Sequence, residues 1–344
     1  MNDSTLEKIT IAVDAMGGDY APEEIIKGTI LYLKESNIKA NDFRIILVGD
    51  EGKINNLLQK HEYDKRRLSV IKATQKIEHD EYPAIAVKKK RDSSLNVCSK
   101  LLKDKIADGM VSAGPTGAVM ISAILNIGRI KGVKRPALAG FIPTIKNPVL
   151  LLDIGANVDC KPNFLLQFAI MGKILYENLL QQSQPKIGLL SIGEEKTKGN
   201  DLVKLSNKLI SKSIENFIGN VEGHQILSGK AHVIICDGFT GNVLIKSMEG
   251  TAELIFNQLK DAFLSNIVRK SGAYLLRPAL KELKNKFDYR EYGGLQLLGI
   301  NGVCIKAHGR SKAKAIKNSI KVAVNAIKSG IITKIADEIS NYTN

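Results

Sequence analysis

Short apolar runs and amphipathic stretches alternate along almost the whole chain. The runs rich in Ile, Val and Leu predict strands at Ile9–Asp14, Phe43–Val48, Leu68–Lys72, Gly109–Ser112, Ala137–Ile142, Val149–Asp153, Lys186–Ser191, His232–Asp237 and Val303–Lys306. The stretches with apolar residues three and four apart predict helices at Pro22–Lys34, Ser94–Lys105, Thr116–Gly128, Asn163–Leu180, Asn200–Lys212, Gly241–Leu264 and Ser311–Lys328. Such alternation is typical of a mainly parallel sheet covered by helices. We therefore predict a three-layer α/β/α fold in a single unit.

Residues 241 to 288 depart from this alternation, because two helical patterns follow each other with no strand between them. Their apolar positions at helical spacing are Ile255, Leu259, Phe263 and Ile267, then Tyr274, Leu275, Leu276, Leu280 and Leu283. The helices are predicted to break at Ser271-Gly272. The basic side chains around that break are Arg269, Lys270 and Arg277. We expect a projecting helical hairpin over residues 250 to 290, which either packs on the core or a partner subunit, or touches a membrane or another protein.

The composition is that of an ordinary soluble globular protein, with 44% apolar and 25% charged residues among 344. The four cysteines, Cys98, Cys160, Cys236 and Cys304, are scattered along the chain. This spacing predicts reduced thiols in the cytoplasm rather than a disulfide framework or a zinc site. No apolar stretch approaches the length of a membrane span, and the polar N-terminus carries no signal-peptide core.

The formal net charge of +15 is the unusual number in this composition. Lysines are spread over nearly every predicted helix, which fits a solvated surface. The alternative is an acidic partner, such as an anionic membrane or an acidic protein. Nucleic acid is the weakest candidate, because the chain has no Trp, only 5% aromatic residues and no basic run interleaved with aromatics.

Glycine and small polar residues follow most of the predicted strands. These loops are Asp14–Asp19, Ser112–Gly117, Asp153–Asp159, Ser191–Asn200, Cys236–Asn242 and Lys306–Ser311. Ligands bind beyond the carboxyl ends of strands in such sheets, so we expect these loops to meet at one end of the sheet as a polar active site. The first loop leads into a helix at Pro22 and is either an anion cradle or a structural turn.

Several common signatures are missing. There is no G-x-x-x-x-G-K-[ST], no G-x-G-x-x-G after the first strand, no G-x-S-x-G and no histidine pair at metal-ligand spacing. The sequence therefore argues against a P-loop hydrolase, a dinucleotide-binding half, a serine hydrolase and a metal centre.

The strand-end motifs resemble the phosphate acyltransferase family of bacterial phospholipid synthesis. The matching strings are Asp14-Ala-Met-Gly-Gly-Asp19, Ser112–Ala118, Arg135-Pro-Ala137, Asp153–Asp159, Gly193–Asn200, Asn216–Glu222, Asp237–Asn242, Tyr292-Gly-Gly294 and Lys306–Gly309. The likeness covers residues 9 to 330, which we treat as a single catalytic domain. Where the family usually has Asn, this chain has Pro115, which lacks a backbone N–H and a side-chain amide. No binding role is therefore carried over to position 115.

This resemblance implies transfer of a fatty acyl group from acyl carrier protein to inorganic phosphate, giving acyl phosphate. It also implies a fold like that of isocitrate and isopropylmalate dehydrogenases and of phosphate acetyltransferase. Phosphate is already an anionic nucleophile, and a thiolate whose pKa is about 8.5 leaves readily. The reaction then consists of positioning the reactants and stabilising negative charge, so we expect no metal and no cofactor.

We expect Lys198, Asn242 and His308 to act in catalysis. Lys198 would neutralise phosphate or the oxyanion, Asn242 would donate its amide, and His308 would donate to phosphate or to the pantetheine arm. Their structural alternatives are a surface lysine, a helix cap and a loop cap. The other predicted substrate- or phosphate-binding residues are Asp14, Gly17, Gly18, Ser112, Gly114, Thr116, Gly117, Asn157, Glu194, Asn200, Asp237 and Gly241. We prefer Asp14 as an organiser of its turn rather than as a base.

The expected partners follow from the same resemblance and from the charge. Acyl carrier proteins are acidic, so a basic face would speed their encounter with this protein. We also expect a homodimer and peripheral contact with an anionic membrane, where a downstream acyltransferase uses the product. The alternatives are an acyl-CoA-dependent enzyme like phosphate acetyltransferase, a dehydrogenase of the same fold, and a non-catalytic scaffold for carrier protein and membrane.

Overall fold

The computed structural model describes residues 9–35, 43–144, 147–287 and 293–343. The strands are β1 (Ile9–Asp14), β2 (Phe43–Gly49), β3 (Leu68–Lys72), β4 (Gly109–Ser112), β5 (Ala137–Ile142), β6 (Val149–Leu152), β7 (Ile187–Ser191), β8 (Phe217–Glu222), β9 (Val233–Ile235), β10 (Leu295–Leu298) and β11 (Val303–Lys306). The helices are α1 (Glu23–Lys34), α2 (Glu51–Leu58), α3 (Pro83–Lys89), α4 (Ser94–Lys103), α5 (Thr116–Ser122), α6 (Pro162–Leu180), α7 (Asp201–Ser213), α8 (Gly238–Leu264), α9 (Ile267–Phe287), α10 (Ala313–Lys328) and α11 (Ile331–Thr343).

All of these strands belong to one sheet, in the order β3-β2-β1-β4-β11-β10-β5-β6-β9-β7-β8. Apolar side chains cover both of its faces. One core layer joins the sheet to α1, α2, α6, α7, α10 and α11, and the other joins it to α3, α4, α5 and α8. The predicted three-layer α/β/α fold with a mainly parallel sheet is therefore confirmed.

The sheet contains two parallel groups that run in opposite directions. Strand β10 is antiparallel to both β11 and β5, and β5 is antiparallel to β6. The group around β1, β4 and β11 therefore runs opposite to β6, β9 and β7. Register nevertheless places the carboxyl ends of both groups in one row of paired residues, which runs through Val13, Val111, Ile305, Gln296, Ala139, Leu152 and Ile235. The strand-end loops therefore start at the same level of the sheet, and the loops of the two groups leave it in opposite directions. The reversal arises from three antiparallel pairings, and no local pattern in the sequence marks them.

Several short elements escaped the sequence patterns. These are β8, β10, α2, α3 and α11. Helix α2 shows why, because it buries only Ile54 and Leu58, and two apolar positions do not make a readable period. Strand β10 has four residues and interrupts its apolar run with a buried Gln296.

The hairpin forms from α8 and α9, but its break lies elsewhere than predicted. The chain leaves the helix at Ser265 and Asn266, and α9 runs without interruption through Ser271 and Gly272. The side-chain oxygen of Asn266 accepts a hydrogen bond from the N–H of Arg269 at 2.9 Å, and this caps α9. Ser271 instead donates its hydroxyl to the carbonyl of Ile267 at 3.0 Å, which a helix interior tolerates.

The distal hairpin stands away from the two core layers. Between Gly250 and Lys281 none of the side chains is buried, and α9 packs mainly against α8. The last predicted hairpin positions, 288 to 290, lie outside the described residues. Within the described ranges, no helix combines the length and the apolar character that a membrane crossing requires.

Candidate active site

Three polar side chains form a row where β1, β4 and β11 end. Register pairs Val13 with Val111 and Lys306 with Ser112, so the next residue, Asp14, lies beside Ser112. Side chains in register on parallel strands point to the same face. Asp14, Ser112 and Lys306 therefore share the face that α3, α4, α5 and α8 cover, and all three are buried.

Asp14 holds the first two strand-end loops together. Its Oδ2 accepts a hydrogen bond from Ser112 Oγ at 2.7 Å, and its Oδ1 accepts one from the N–H of Met16 at 3.2 Å. Ser112 Oγ in turn accepts the N–H of Gly114 at 3.0 Å. Burial is the largest influence on Asp14 and raises the pKa of its carboxyl, while the hydrogen bond from Ser112 lowers it. These contacts suit Asp14 to organising the turn.

Gly17 and Gly18 let the first loop pass close to its neighbours. Gly18 has φ +101°, and a Cβ there would lie 2.9 Å from the Cβ of Ala113. The following residue, Asp19, donates its N–H to the carbonyl of Gly309 at 2.9 Å. Asp19 Oδ1 also lies 3.2 Å from His79 Nε2. Segments after β1, β4 and β11, together with the segment that carries His79, are thus in contact with one another.

The predicted phosphate loop enters α5 at Thr116 and Gly117. Pro115 stands at the N-cap with φ −58°, and no side chain caps the helix start. Gly117 lies against α3, where a Cβ would come within 2.9 Å of Pro83 Cγ. Pro115 therefore shapes the turn without contributing a hydrogen-bond donor.

Two lysines and a histidine lie beside this loop. Lys246, on α8, places its Nζ 3.4 Å from His308 Nε2. Burial, followed by the positive charges of Lys306 and Lys246, lowers the pKa of His308 to about 4. Burial is also the first cause that lowers the pKa of Lys306 to about 8, and the nearby Lys246 adds to it. His308 is therefore neutral near pH 7, between two cationic side chains.

The carboxyl ends of β6 and β9 form a second polar group, which is tightly hydrogen-bonded. Asp153 Oδ2 accepts the N–H of Asn157 at 2.7 Å, and Asn157 Nδ2 donates to the carbonyl of Pro136 at 2.7 Å. Asp237 caps α8 by accepting the N–H of Thr240 at 2.8 Å. Burial raises the pKa of Asp153, against the hydrogen bonds that lower it. In this geometry Asn157 and Asp237 hold the backbone of their loops.

Asn242 projects from the start of α8 beside this group. It is exposed, and a Cβ on Gly155 would lie 3.5 Å from its side chain. Gly241, one residue earlier, is buried against the backbone of Asp153 and has no room for a side chain. The close packing at Gly241 therefore fixes where the amide of Asn242 stands.

Lys198, Glu194 and Asn200 lie in the loop after β7. Asn200 caps α7 by accepting the N–H of Val203 at 2.9 Å. Glu194 Oε1 lies 2.7 Å from Lys230 Nζ. The hydrogen bond from Lys230, followed by one from Gln225, lowers the pKa of the exposed Glu194 carboxyl. The carbon chain of Lys198 crosses Gly193, where a Cβ would lie 2.9 Å from Lys198 Cγ. Glu194 and Asn200 are thus engaged in local contacts.

The predicted catalytic residues follow strands of both directions. Lys198 and Asn242 follow β7 and β9, whereas His308 follows β11. Helix α8 passes both sets of loops, since it carries Asn242 in its first turns and Lys246 one turn later, against His308.

Sequence reasoning did not select Lys246, Lys306, Asp19 or His79 as site residues. The spacing of Lys246 four positions after Asn242 on one helix face was a usable signal. Asp19 and Lys306 lie inside two of the motifs that resemble the family, Asp14–Asp19 and Lys306–Gly309. Nothing local distinguished His79, because it is the fold that brings it to Asp19.

Comparison with known proteins identifies the family. The model of the family described as "Fatty acid synthesis protein" matches residues 9–334. The phosphate acyltransferase of Dictyoglomus turgidum is 49% identical over 336 residues, which cover 97% of this chain and 98% of that protein. The phosphate acyltransferase of Clostridium novyi is 46% identical over 329 residues, covering 96% and 98%.

Solved structures with the same fold are more distant in sequence. A phosphotransacetylase from Streptococcus pyogenes superposes with a TM-score of 0.59 at 18% identity and covers 96% of this chain and 95% of that one. A 4-hydroxythreonine-4-phosphate dehydrogenase from Klebsiella pneumoniae gives 0.52 at 12% identity, covering 95% and 99%. The expected kinship with acyl-transferring enzymes and a dehydrogenase therefore holds at the level of the fold. Its sequence relatives show that the chain belongs to the phosphate acyltransferase family and is an acyltransferase.

Proposed function

We propose that this enzyme transfers a fatty acyl group from the thiol of acyl carrier protein to inorganic phosphate and releases acyl phosphate for phospholipid synthesis. The observation that carries the proposal is the near-full-length match to phosphate acyltransferases and to a fatty acid synthesis family. The polar loops at the ends of β1, β4 and β11 would hold the anion and the thioester together, and their mutual hydrogen bonds support this placement.

The reaction needs no group beyond those that the chain provides. A phosphate oxygen attacks the thioester carbonyl, the new C–O bond forms, and the C–S bond breaks as the thiolate leaves. Hydrogen phosphate gives up one proton and the thiolate takes one, so the protons balance. Positioning and stabilisation of the oxyanion then account for the rate.

The positions of the polar residues suggest a division of labour along α8. The Ser112–Gly117 loop and His308 would hold phosphate at one end of this face. Asn242 would donate its exposed amide to the thioester oxygen, and Lys198 would neutralise charge on that side. Helix α8 carries Asn242 and also contacts His308 through Lys246. It would therefore hold the thioester-binding residues at a fixed distance from the phosphate-binding residues.

The charge supports a protein donor. A net charge of +15 favours an acidic carrier over a neutral one and would make their encounter fast and salt-dependent. The alternative donor is acyl-CoA, which is also anionic but far smaller. Comparing the reaction rates with the two donors therefore distinguishes an enzyme that uses acyl carrier protein from one that uses acyl-CoA.

The hairpin of α8 and α9 would provide a further contact. The first turns of α9 expose Leu275 and Tyr274 beside Lys270, and these line a shallow depression with Ile267 and Ser271. Such a basic, apolar surface would suit either a second subunit of a homodimer or an anionic membrane near a downstream acyltransferase. The enzyme would then be cytoplasmic and peripherally membrane-associated.

The experiment that tests the proposal follows release of the free carrier thiol from long-chain acyl carrier protein, with and without inorganic phosphate. We expect release only with phosphate. Asn242→Ala should lower the rate about 10²–10³-fold, as loss of an oxyanion donor does elsewhere. Asn257→Ala, an exposed position further along α8, is the matched control and should keep the wild-type rate.

The outcomes separate the function from the residue. Thiol release that does not depend on phosphate would refute the proposed reaction. A normal phosphate-dependent rate in Asn242→Ala would refute only the role of Asn242.

A further inference from the structure

Lys306 is a buried lysine at the end of a central strand. It is 7% exposed and lies between Ser112 on β4 and Leu295 on β10. Among the described residues, no carboxylate lies within ion-pairing distance of its Nζ. An ammonium group in such a place is costly to keep charged unless an anion joins it.

His308 lies near Lys306, and burial followed by the positive charge of Lys306 lowers the pKa of the imidazole. Its Nδ1 accepts the backbone N–H of Arg310 at 3.1 Å. A neutral imidazole that accepts at Nδ1 carries its proton at Nε2. That Nε2 lies 3.4 Å from Lys246 Nζ, so the imidazole and the ammonium group are in contact. An anion placed beside them would be held by charge-assisted hydrogen bonds.

The surrounding carboxylates do not cancel this positive charge. Glu249 lies 3.7 Å from Lys246, and burial raises the pKa of Glu249, which disfavours its charged form. Asp19 is shared with His79 at 3.2 Å. The charged and titratable groups that face Lys306 and His308 are Lys246 and Glu249 from α8, Asp19 with His79 from the loops, and Arg310 after β11. Cationic groups therefore prevail around this space.

We infer that Lys306, Lys246 and His308 form the pocket that binds the phosphate nucleophile next to the Ser112–Gly117 loop, with Lys306 as its buried charge. The inference rests on the proposed function for the identity of the anion. The same chemistry would also suit the phosphodiester of a pantetheine arm. The geometry favours free phosphate, because the Asp14–Ser112–Lys306 row joins the pocket directly to the predicted phosphate loop.

The test measures binding of inorganic phosphate by calorimetry, with no acyl donor present. Lys306→Met keeps the volume of the side chain and removes its charge. We expect it to weaken phosphate binding by about tenfold or more, the usual effect of losing a charge-assisted contact. Lys208→Met, an exposed position on α7, is the matched control and should bind as the wild type does. Unaltered phosphate affinity in Lys306→Met would overturn the inference.

A second variant covers the case in which Lys306→Met fails to fold. Lys246 is more than half exposed, so Lys246→Met should fold normally and still bind phosphate more weakly. If Lys246→Met raises KM for the acyl donor but leaves phosphate affinity unchanged, the anion is the pantetheine phosphodiester and the inference fails. Since binding is read without donor, this result is independent of whether carrier protein proves to be the substrate.

The pH dependence gives a further readout that a structural role would not produce. Sulfate has a constant charge near neutral pH and can replace phosphate as the probe. Because Lys306 is charged only below its pKa, sulfate affinity should fall as pH rises through about 8 in the wild type. The fall should be absent in Lys306→Met. An identical pH profile in both proteins would contradict the inference.

Discussion

At the scale of single residues, the first strand-end loop shows how two carboxylates are held by neighbouring segments. Sequence alone left open whether this loop is an anion cradle or a structural turn. In the structure Asp14 accepts from Ser112 Oγ and from the N–H of Met16, and Asp19 pairs with His79. Both carboxylates are therefore engaged, and neither needs to face phosphate.

Gly18 gives a stability prediction. Its φ of +101° and the closeness of Ala113 and Gly309 leave no room for a methyl group. We expect Gly18→Ala to lower the free energy of unfolding by about 1–2 kcal/mol or more, because the backbone must adopt a conformation that L-residues avoid. Chemical denaturation of both proteins measures the difference.

The matched control is Gly272→Ala. Gly272 lies inside α9, and a Cβ there has no neighbour within 4 Å. Alanine is the better helix former, so this variant should lose no stability. Equal free energies of unfolding for the two variants would show that the Gly18 turn is not constrained as described.

The sequence predicted which residues are polar and near strand ends, but not what each one contacts. The pattern of their loop predicted Ser112 and Gly114 as site residues. In the structure Ser112 donates to Asp14, and Gly114 donates its N–H to Ser112 Oγ. Lys246 did not emerge, because its contact with His308 is made between residues 62 positions apart. Contacts of this range depend on the tertiary fold and leave no local pattern.

At the scale of elements, α8 packs on the core in its first half and belongs to the exposed hairpin in its second half. Its first turns bury Gly238 and Gly241 against the β6 loop, and its middle packs Leu244 and Met248 on the core. Its distal half belongs to the exposed hairpin. The predicted start at residue 241 was three residues late, because Asp237 caps the helix ahead of the glycine turn.

The exposed apolar side chains of α9 give a prediction at the scale of elements. Leu275 and Leu276 are 79% and 52% exposed, so replacing both with Gln removes apolar surface without opening the core. We expect unchanged stability, together with loss of either binding to anionic liposomes or dimer formation. Liposome flotation and light scattering measure the two properties.

A control pair tests whether any loss of exposed apolar surface has the same effect. Ile106 and Leu205 are 54% and 57% exposed and lie away from the hairpin, and their double change to Gln should alter neither property. If the Leu275–Leu276 variant also keeps both liposome binding and oligomeric state, the hairpin has neither proposed role.

At the scale of the whole molecule, the fold class was predictable and the direction of its strands was not. Apolar runs and amphipathic periods identify most strands and helices, since burial on both faces leaves a strong local pattern. The reversal at β10, β5 and β6 depends on pairing between distant segments. It lets the loops of the two strand groups leave one row of the sheet in opposite directions, and α8 contacts both sets of loops.

The net charge belongs to the same scale. A formal net charge of +15 attracts acidic partners. Added salt screens this attraction, so it acts over a shorter distance. We expect the net charge to affect the two candidate donors differently. An acidic carrier protein would contact a broad basic surface, whereas acyl-CoA would contact only the residues around the reacting thioester.

The measurement that tests the central claim most directly is the rate of acyl phosphate formation from inorganic phosphate, with long-chain acyl carrier protein or acyl-CoA as donor at equal concentration, at low and at raised salt. We predict phosphate-dependent product from acyl carrier protein, faster than from acyl-CoA, with the advantage shrinking as salt is added. Equal rates from the two donors with no effect of salt, or no acyl phosphate from acyl carrier protein, would contradict the account.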